Sequence, residues 1–345
     1  MKSAEAVTEG HPDKVCDQIA DAILDAYLLR DPSARVAVEI FGSHGLLVIG
    51  GEVTSEAQVN VEEIARKVYA AIGYSDDFEV LANIHRQSPE ISAGVKEGGA
   101  GDQGIMHGYA TAETKEFLPR AYVLAQKLAQ GLADLRRHDT DFSWLKPDGK
   151  TQITTQGGQV VKIVVSAQHD PTMTAEKIKP MLIESLIRPI IGNIGKAEIF
   201  VNPSGSFLCG GFEADTGLTG RKIIVDAYGP LIPHGGGAFS GKDATKVDRS
   251  AAYMCRFAAK NLVANGLAKN CLVSVAYAIG KADPVMLTAK GNGGKDLSEI
   301  VKKNFDFRPL AIIERLKLRQ PIFQRTACYG HFGREGFPWE EVVSL

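Results

Sequence analysis

The order of β-hairpin and helix signals along the chain constrains its fold more than any other feature. One hairpin is predicted by the apolar runs 35–41 and 46–54, which are joined by Gly42-Ser43-His44-Gly45. Two further hairpins are predicted at residues 152–156 with 159–167, and at residues 196–202 with 207–211. The first and third hairpins end in similar apolar-Gly-Gly sequences, which suggests three α+β units built on one plan.

Helices are predicted beside these hairpins. Pro12 suits the first position of a helix whose apolar residues follow a period of 3.6, and Asp31-Pro32 ends it. Another face of this helix carries aspartates at i, i+4 spacing: Asp13, Asp17, Asp21 and Asp25. Asn60 as N-cap and Gly73 as stop bound a second helix. The remaining predicted elements are helices at 174–191, 246–265 and 298–305, and strands at 222–228 and 271–279. Helices are expected on one side of each sheet, so the bare faces must pack on each other or on a second chain.

The composition excludes several classes of protein. Apolar residues make up 44% and charged residues 23% of the 345 residues, which excludes a disordered or collagen-like chain. The net charge of −2 offers no basic excess for nucleic acid, and no apolar run reaches the roughly 18–20 residues that span a bilayer. The early acids at the N-terminus argue against a signal peptide. Five scattered cysteines favour reduced thiols and a cytoplasmic protein.

Two glycine-rich stretches are candidate binding loops. In residues 235–243, the spacing Gly236-x4-Gly241-Lys242 matches most of a P-loop, but Asp243 stands where that motif has Ser or Thr, and the predicted helix begins too late. This stretch is either an anion-binding loop or a flexible linker. Residues 99–104 match G-x-G-x-x-G without a preceding strand, so dinucleotide binding is not expected. They form either a surface loop or a lid that carries Asp102.

Two predicted helices start with an aspartate next to basic residues. Asp13 and Asp248 each lie in a first turn, where an acid commonly compensates the helix dipole. The alternative is a phosphate–Mg²⁺ site, which needs one or two carboxylates and further cations. Basic residues that could supply the cations are Lys150, Arg221, Lys222, Lys242 and Lys246. Each alone is more often a surface residue, but together they suggest a polyphosphate ligand.

The first hairpin carries two glutamates, Glu39 and Glu52. With a turn at Ser43-His44, Glu39 would face Val48 and Glu52 would face Arg35. Both acids would then share one face of the sheet, roughly 13 Å apart. They are surface charges if that face is solvated, and each needs a cation if the face is buried.

Several motifs in one order resemble the S-adenosylmethionine synthetase family. They are Gly10-His11-Pro12-Asp13-Lys14 and the stretches 99–104, 217–222, 235–243, 246–253 and 329–334. The resemblance implies an α+β fold of three similar sheet-plus-helix domains about a pseudo-threefold axis, at about 1–97, 98–210 and 211–345. It also implies homodimers that pack sheet to sheet with shared active sites, and that pair into homotetramers.

The resemblance implies methionine adenosyltransferase activity. ATP and L-methionine give S-adenosylmethionine by sulfur attack on C5′ of ATP, and the tripolyphosphate is hydrolysed to pyrophosphate and phosphate. No nucleic acid or membrane is implied as a partner. Two Mg²⁺ per site would be held by Asp13 and Asp248, and one K⁺ by Glu39.

Individual roles also follow from the resemblance. His11, Lys150, Arg221 and Lys242 would be catalytic. The implied ATP-binding residues are His11, Asp148, Lys150, Ser206, Phe207, Asp215, Arg221, Lys222, Ala238 and Lys242. The implied methionine-binding residues are Glu52, Gln87, Asp215 and Lys246. Gln87, Ile91 and Asp102 would belong to a gating loop.

The sequence departs from the family pattern at a few positions. Ser206 replaces an arginine next to Phe207, His107 replaces a phenylalanine, and the gating loop is shorter than usual. Two alternatives therefore stay open: a non-catalytic sensor of ATP or polyphosphate, and a tripolyphosphatase. Only the transferase would form the sulfonium product, and the tripolyphosphatase would make no use of Glu52 and Gln87.

Overall fold

Strands in the described residues, 1–86 and 98–345 of the computed structural model, form three sheets. The strands are β1 (Lys2–Val7), β2 (Arg35–Ser43), β3 (Leu46–Thr54), β4 (Glu79–His85), β5 (Gly104–Thr111), β6 (Leu145–Gln156), β7 (Gln159–His169), β8 (Glu198–Val201), β9 (Gly217–Leu218), β10 (Asn270–Tyr277) and β11 (Met286–Gly291). The helices are α1 (Pro12–Arg30), α2 (Val61–Ile72), α3 (Arg120–His138), α4 (Ala175–Leu182), α5 (Arg188–Ile191), α6 (Ile223–Ala227), α7 (Val247–Ala264), α8 (Ser298–Asn304) and α9 (Pro309–Arg315).

The three sheets exchange strands along the chain. The first has the order β4-β3-β2-β9, the second β1-β6-β7-β8, and the third β11-β10-β5. The predicted division places domain boundaries at residues 97 and 210. With these boundaries, β1 of the N-terminal domain is part of the second sheet, β5 of the central domain is part of the third, and β9 of the C-terminal domain is part of the first. The three-domain division remains a proposal, since each sheet draws on two units.

Each sheet packs one face against a long helix. Helix α1 lies on the first sheet, α3 on the second and α7 on the third. In β2, the side chains of Val36, Val38 and Ile40 are buried, whereas the alternate residues Glu39 and Phe41 are exposed. This confirms the α+β class, with helices on one side of each sheet.

The first hairpin forms as predicted, but its register differs by two. Its turn is His44-Gly45, with φ of 35° and 76°, and positive φ at both central residues is the mark of a type I′ turn. Glu39 therefore pairs with Gly50, and Glu52 pairs with Ala37. The two acids still share a face, as diagonal neighbours about 7–8 Å apart instead of 13 Å.

Two predicted strands were wrong. Residues 206–210 form no strand, and β8 pairs in parallel with β7 instead of forming a third hairpin. Residues 222–228, predicted as a strand from Ile223-Ile224-Val225, contain the short helix α6. Such a short apolar run cannot be told from a buried helix by pattern alone, and tertiary contacts decided it.

The other predicted elements are present. Helix α2 has the expected Asn60 N-cap and a left-handed Gly73, and α7, α8 and β10 lie where predicted. The predicted helix at 174–191 is α4 and α5 joined by a π-helical turn. Among the described residues, no helix is long and apolar enough to span a membrane.

Candidate active site

The first turn of α1 and the loop 217–222 bring four predicted site residues together. The buried Asp13 carboxylate accepts hydrogen bonds from Leu218 N at 3.0 Å and from Lys222 Nζ at 2.5 Å. Arg221 Nε lies 3.4 Å from the same carboxylate. His11 caps the helix, with Nδ1 accepting from Asp13 N at 3.2 Å. We name His11, Asp13, Arg221 and Lys222 the α1 cluster.

His11 is a neutral imidazole in this setting. Burial, and then the positive charges of Lys222 and Lys150, lower the pKa of His11 to about 2. Because Nδ1 accepts the Asp13 amide, the proton belongs on Nε2. His11 can therefore donate a hydrogen bond near cations without adding a positive charge.

The aspartates along α1 hold the loops around this cluster. Asp17 accepts from Gly220 N at 2.9 Å and pairs with the buried Lys14 at 2.9 Å. One turn further, Asp21 accepts from Gly241 N at 2.8 Å and pairs with Arg249. The sequence shows the i, i+4 spacing of these aspartates, but it does not predict which backbone amides their carboxylates bind.

A second cluster forms where the loop 235–243 meets α7. Lys242 Nζ donates to Asp248 at 2.6 Å, and Lys246 Nζ donates to Asp243 at 2.5 Å. Gly237 lies against the Asp248 carboxylate, because a Cβ there would come within 2.2 Å of Oδ1. We name Lys242, Lys246, Asp243 and Asp248 the α7 cluster.

The loop 235–243 is ordered by its neighbours, which contradicts the flexible-linker alternative. Val38 N donates to Gly241 O at 3.1 Å, and Ala37 forms a bridge with Lys242. Asp243 accepts Val36 N at 2.7 Å. The loop therefore lies along β2 and presents its lysine at a set position.

The two clusters are close but separate in one chain. Their loops touch, since a Cβ on Gly220 would lie 2.6 Å from Ala238 Cβ. Between described residues, no hydrogen bond or ion pair joins a member of one cluster to a member of the other. Each cluster thus contains its own cations and carboxylates: one aspartate in the α1 cluster and two in the α7 cluster.

Of the other predicted nucleotide residues, Lys150 lies close enough to the α1 cluster for its charge to act on His11. Asp148 is buried and accepts from Gly211 N at 3.1 Å through Oδ2, whereas Oδ1 has no hydrogen-bond partner among the described residues. Burial raises the pKa of Asp148 to about 6. Lys150 and Asp215 are exposed, as is Ser206, and Phe207 is half-buried.

The remaining predicted residues are Glu39 and Glu52 on the first hairpin, and Asp102 shortly before β5. Glu39 is exposed and Glu52 is half-buried. Asp102 is exposed and accepts Gln103 N at 2.7 Å. Gln87 and Ile91, predicted in the gating loop, fall outside the described residues.

The start of the 99–104 stretch is attached to the protein. Ala100 N donates to Lys281 O at 2.8 Å, and Gly280 N donates to Ala100 O at 2.8 Å. Residues 98–100 are buried. A free surface loop is therefore excluded for this part of the stretch.

The donor sets of both clusters fit Mg²⁺ held largely by substrate. Each cluster offers an aspartate, Asp13 or Asp248, whose charge is balanced by a lysine. Mg²⁺ is commonly bound by one or two carboxylates together with phosphate oxygens and water. A cation could thus replace the lysine at the carboxylate and leave the lysine to a phosphate.

Comparisons with known proteins agree with the sequence motifs. Models of the N-terminal, central and C-terminal domains of S-adenosylmethionine synthetase match residues 1–89, 97–207 and 209–341. S-adenosylmethionine synthases of Pseudothermotoga lettingae and Thermus thermophilus are each 49% identical, over 99% of this chain and 96% of the relative. That of Sorangium cellulosum is also 49% identical, over 99% of this chain and 87% of the relative. The chain therefore belongs to the S-adenosylmethionine synthetase family.

Proposed function

We propose that the α1 cluster and the α7 cluster are two halves of the site at which this family member makes S-adenosylmethionine. Each complete site takes the α1 cluster of one chain and the α7 cluster of a partner. The observation that carries the proposal is that in both clusters an aspartate pairs with a lysine of a glycine-containing loop, 217–222 or 235–243. Such sets suit a polyphosphate with Mg²⁺.

The reaction explains these residue types. The methionine sulfur has no proton to lose, so its attack on C5′ of ATP needs no general base. As the S–C5′ bond forms, the bond to the 5′ oxygen breaks and negative charge grows on the leaving tripolyphosphate. Neutral His11 donates a hydrogen bond to that oxygen from Nε2, and the basic residues stabilise the phosphates. The basic residues are Lys150, Arg221, Lys222 and Lys242.

Asp13 and Asp248 would each hold one Mg²⁺, which would neutralise phosphate charge and favour departure of the tripolyphosphate. Both carboxylates already bind cationic side chains, which supports this assignment. Glu39 would hold K⁺ once a second chain covers its sheet face. The tripolyphosphate is then hydrolysed to pyrophosphate and phosphate in the same cluster of cations.

In this proposal the methionine sulfur lies on the side of C5′ opposite to the leaving 5′ oxygen, as an in-line displacement requires. Phe207 stacks on adenine, and Asp148 and Ala238 line the nucleotide site. Methionine contacts Glu52, Asp215 and Lys246, together with Gln87. Gln87, Ile91 and Asp102 belong to the gate that closes over both substrates.

The open sheet faces support a homodimer. Phe41, Val48 and Leu81 lie in one row across the first sheet, and Phe41 and Leu81 are 38% and 49% exposed. Large exposed apolar patches commonly mark protein interfaces. Pairing of such dimers would give the homotetramer. All five cysteines are free, which supports a reducing compartment such as the cytoplasm.

Formation of the sulfonium product tests the proposal. Purified protein with ATP, L-methionine and Mg²⁺ should yield S-adenosylmethionine, pyrophosphate and phosphate in equal amounts, and K⁺ should raise the rate. A sensor would yield no product, and a tripolyphosphatase would cleave added tripolyphosphate without forming the sulfonium. The 49% identity to named synthases favours the transferase over both.

A further inference from the structure

The end of β7 connects two segments that border the proposed nucleotide site. Gln168 is buried, and its amide reaches both of them. Oε1 accepts from Asp148 N at 3.2 Å, and Nε2 donates to Leu208 O at 3.2 Å. Gly210 permits this contact, because a Cβ there would lie 2.5 Å from Gln168 Cδ.

His169, the next residue, binds both backbone polar groups of Phe207. Its own N–H donates to Phe207 O at 2.9 Å, and its Nε2 accepts from Phe207 N at 3.1 Å. Nδ1 is 2.8 Å from Asp170 O. A backbone amide can only donate and a carbonyl can only accept, so His169 is the neutral tautomer with its proton on Nδ1.

The segment that these residues hold has no strand of its own. Residues 206–210 form neither helix nor strand, so its order depends on such individual bonds. Asp148 adds one more, through Gly211 N at 3.1 Å. Gln168 and His169 thus join residue 148 on one side to residues 207 and 208 on the other.

We infer that Gln168 and His169 are positioning residues for ATP, acting through Asp148 and Phe207. The inference rests on the proposed nucleotide role of those two residues. Loss of the bonds would leave the segment 206–210 to be ordered when ATP binds, which weakens ATP binding. Methionine contacts other residues, so its KM should change little.

The test compares two replacements at each position in the assembled enzyme. Gln can offer a carbonyl oxygen near the position of the histidine Nε2, so His169→Gln keeps an acceptor that His169→Leu removes. Likewise, Gln168→Glu keeps the acceptor for Asp148 N, and Gln168→Met keeps neither bond. His169→Leu and Gln168→Met should raise the KM for ATP about five- to tenfold. The net free energy of a hydrogen bond, about 1 kcal/mol, corresponds to a change of that size in a binding constant. His169→Gln should recover most of the loss.

Two measurements separate positioning from general destabilisation. Binding of ATP with Mg²⁺, without methionine, is measured by calorimetry, and melting temperature is measured for every variant. The matched control is Gln126→Met, which removes a buried glutamine that donates to Val225 O at 2.9 Å. The control should lower the melting temperature and leave the KM for ATP unchanged.

Phe207→Leu distinguishes the two ways of failing. If it weakens ATP binding and His169→Leu does not, the positioning role is wrong and the stacking role stands. If Phe207→Leu leaves ATP binding unchanged, the nucleotide role of Phe207 is wrong and the positioning role falls with it. The inference would also be overturned if His169→Leu raised the KM for ATP and the KM for methionine equally, and Gln126→Met did the same.

Discussion

Single residues in the two clusters combine structural and chemical roles. Lys222 and Lys242 neutralise the aspartates that would bind Mg²⁺, at 2.5 and 2.6 Å. In the proposed mechanism, the same lysines would become available to the phosphates when a metal ion takes their place. Their charge therefore matters in the free enzyme and in the reaction.

Lys242→Ala should slow the chemical step by about 10²–10³-fold, the usual cost of removing one charge-stabilising donor, with little effect on the KM for methionine. Single-turnover formation of S-adenosylmethionine measures this directly. Lys290→Ala is the matched control, since Lys290 pairs with Asp296 at 3.2 Å on the surface and should leave turnover unchanged. A near-normal rate for Lys242→Ala would exclude its phosphate role.

Ser206→Arg should lower the KM for ATP, because arginine adds a fork of donors beside the nucleotide. The gain should be at most about 1–2 kcal/mol, as for a charge-assisted hydrogen bond in a partly wet site. Ser204→Arg, two residues away and also exposed, is the control and should change nothing. An unchanged or higher KM for ATP in Ser206→Arg would mean that the missing arginine is compensated elsewhere.

His11 should make the fold sensitive to acid. Its pKa falls to about 2 in the folded protein but is near 6.5 when unfolded, so below pH 6.5 the unfolded state binds a proton that the native state does not. From pH 7 to pH 5 this should cost about 2 kcal/mol of stability. Denaturant unfolding of the wild type and of His11→Gln at both pH values measures the difference, and equal losses in both proteins would contradict the prediction.

At the scale of elements, α1 organises the molecule through its row of aspartates. Asp13, Asp17 and Asp21 each accept a backbone amide from a loop that carries proposed phosphate ligands. Asp25 accepts the amides of Phe323 and Gln324, away from both clusters. One helix face therefore fixes both clusters and a C-terminal segment.

Asp21→Asn and Asp25→Asn should differ strongly in stability. Asp21 forms a fully buried pair with Arg249 at 2.6 Å, and breaking such a pair typically costs about 3–5 kcal/mol because one charge stays buried. Asn at position 25 can still accept a backbone amide and should cost no more than about 1 kcal/mol. Thermal and urea unfolding of the two variants compare the effects. Similar losses would mean that Arg249 finds another partner.

At the scale of the whole molecule, the proposed site depends on how chains pair. Lys222 and Lys242 belong to different clusters, so the proposal places them in different active sites of a dimer. A mixed dimer of one Lys222→Ala chain and one Lys242→Ala chain would then keep one intact site.

Co-expression of these two variants should therefore restore activity that neither has alone, to about a quarter of the wild type for random pairing. The measurement is the specific activity of the co-purified mixture, with each variant mixed with itself as control. If both clusters of one chain served the same site, every dimer would contain only defective sites, and no activity would return.

Short-range features of the sequence determined much of the secondary structure. The caps and periodicity of α1 and α2 and the turn between β2 and β3 predicted these elements, because their hydrogen bonds join residues close in sequence. The sequence motifs and their order along the chain were sufficient to predict membership of the family. The predicted register of the first hairpin was wrong by two residues. The sequence Gly42-Ser43-His44-Gly45 does not by itself show which two residues adopt positive φ and form the turn.

Tertiary structure decided how these pieces meet. Residues 223–227 are helical and residues 206–210 irregular, although the sequence predicts a strand at each. The backbone of the second segment binds the side chains of Gln168 and His169, which lie about 40 positions earlier in the chain. The pairing of Asp13 with Lys222 spans 209 positions, and that of Asp21 with Arg249 spans 228. No local pattern carries such contacts, since they arise only when separate strands and helices bury their apolar faces together.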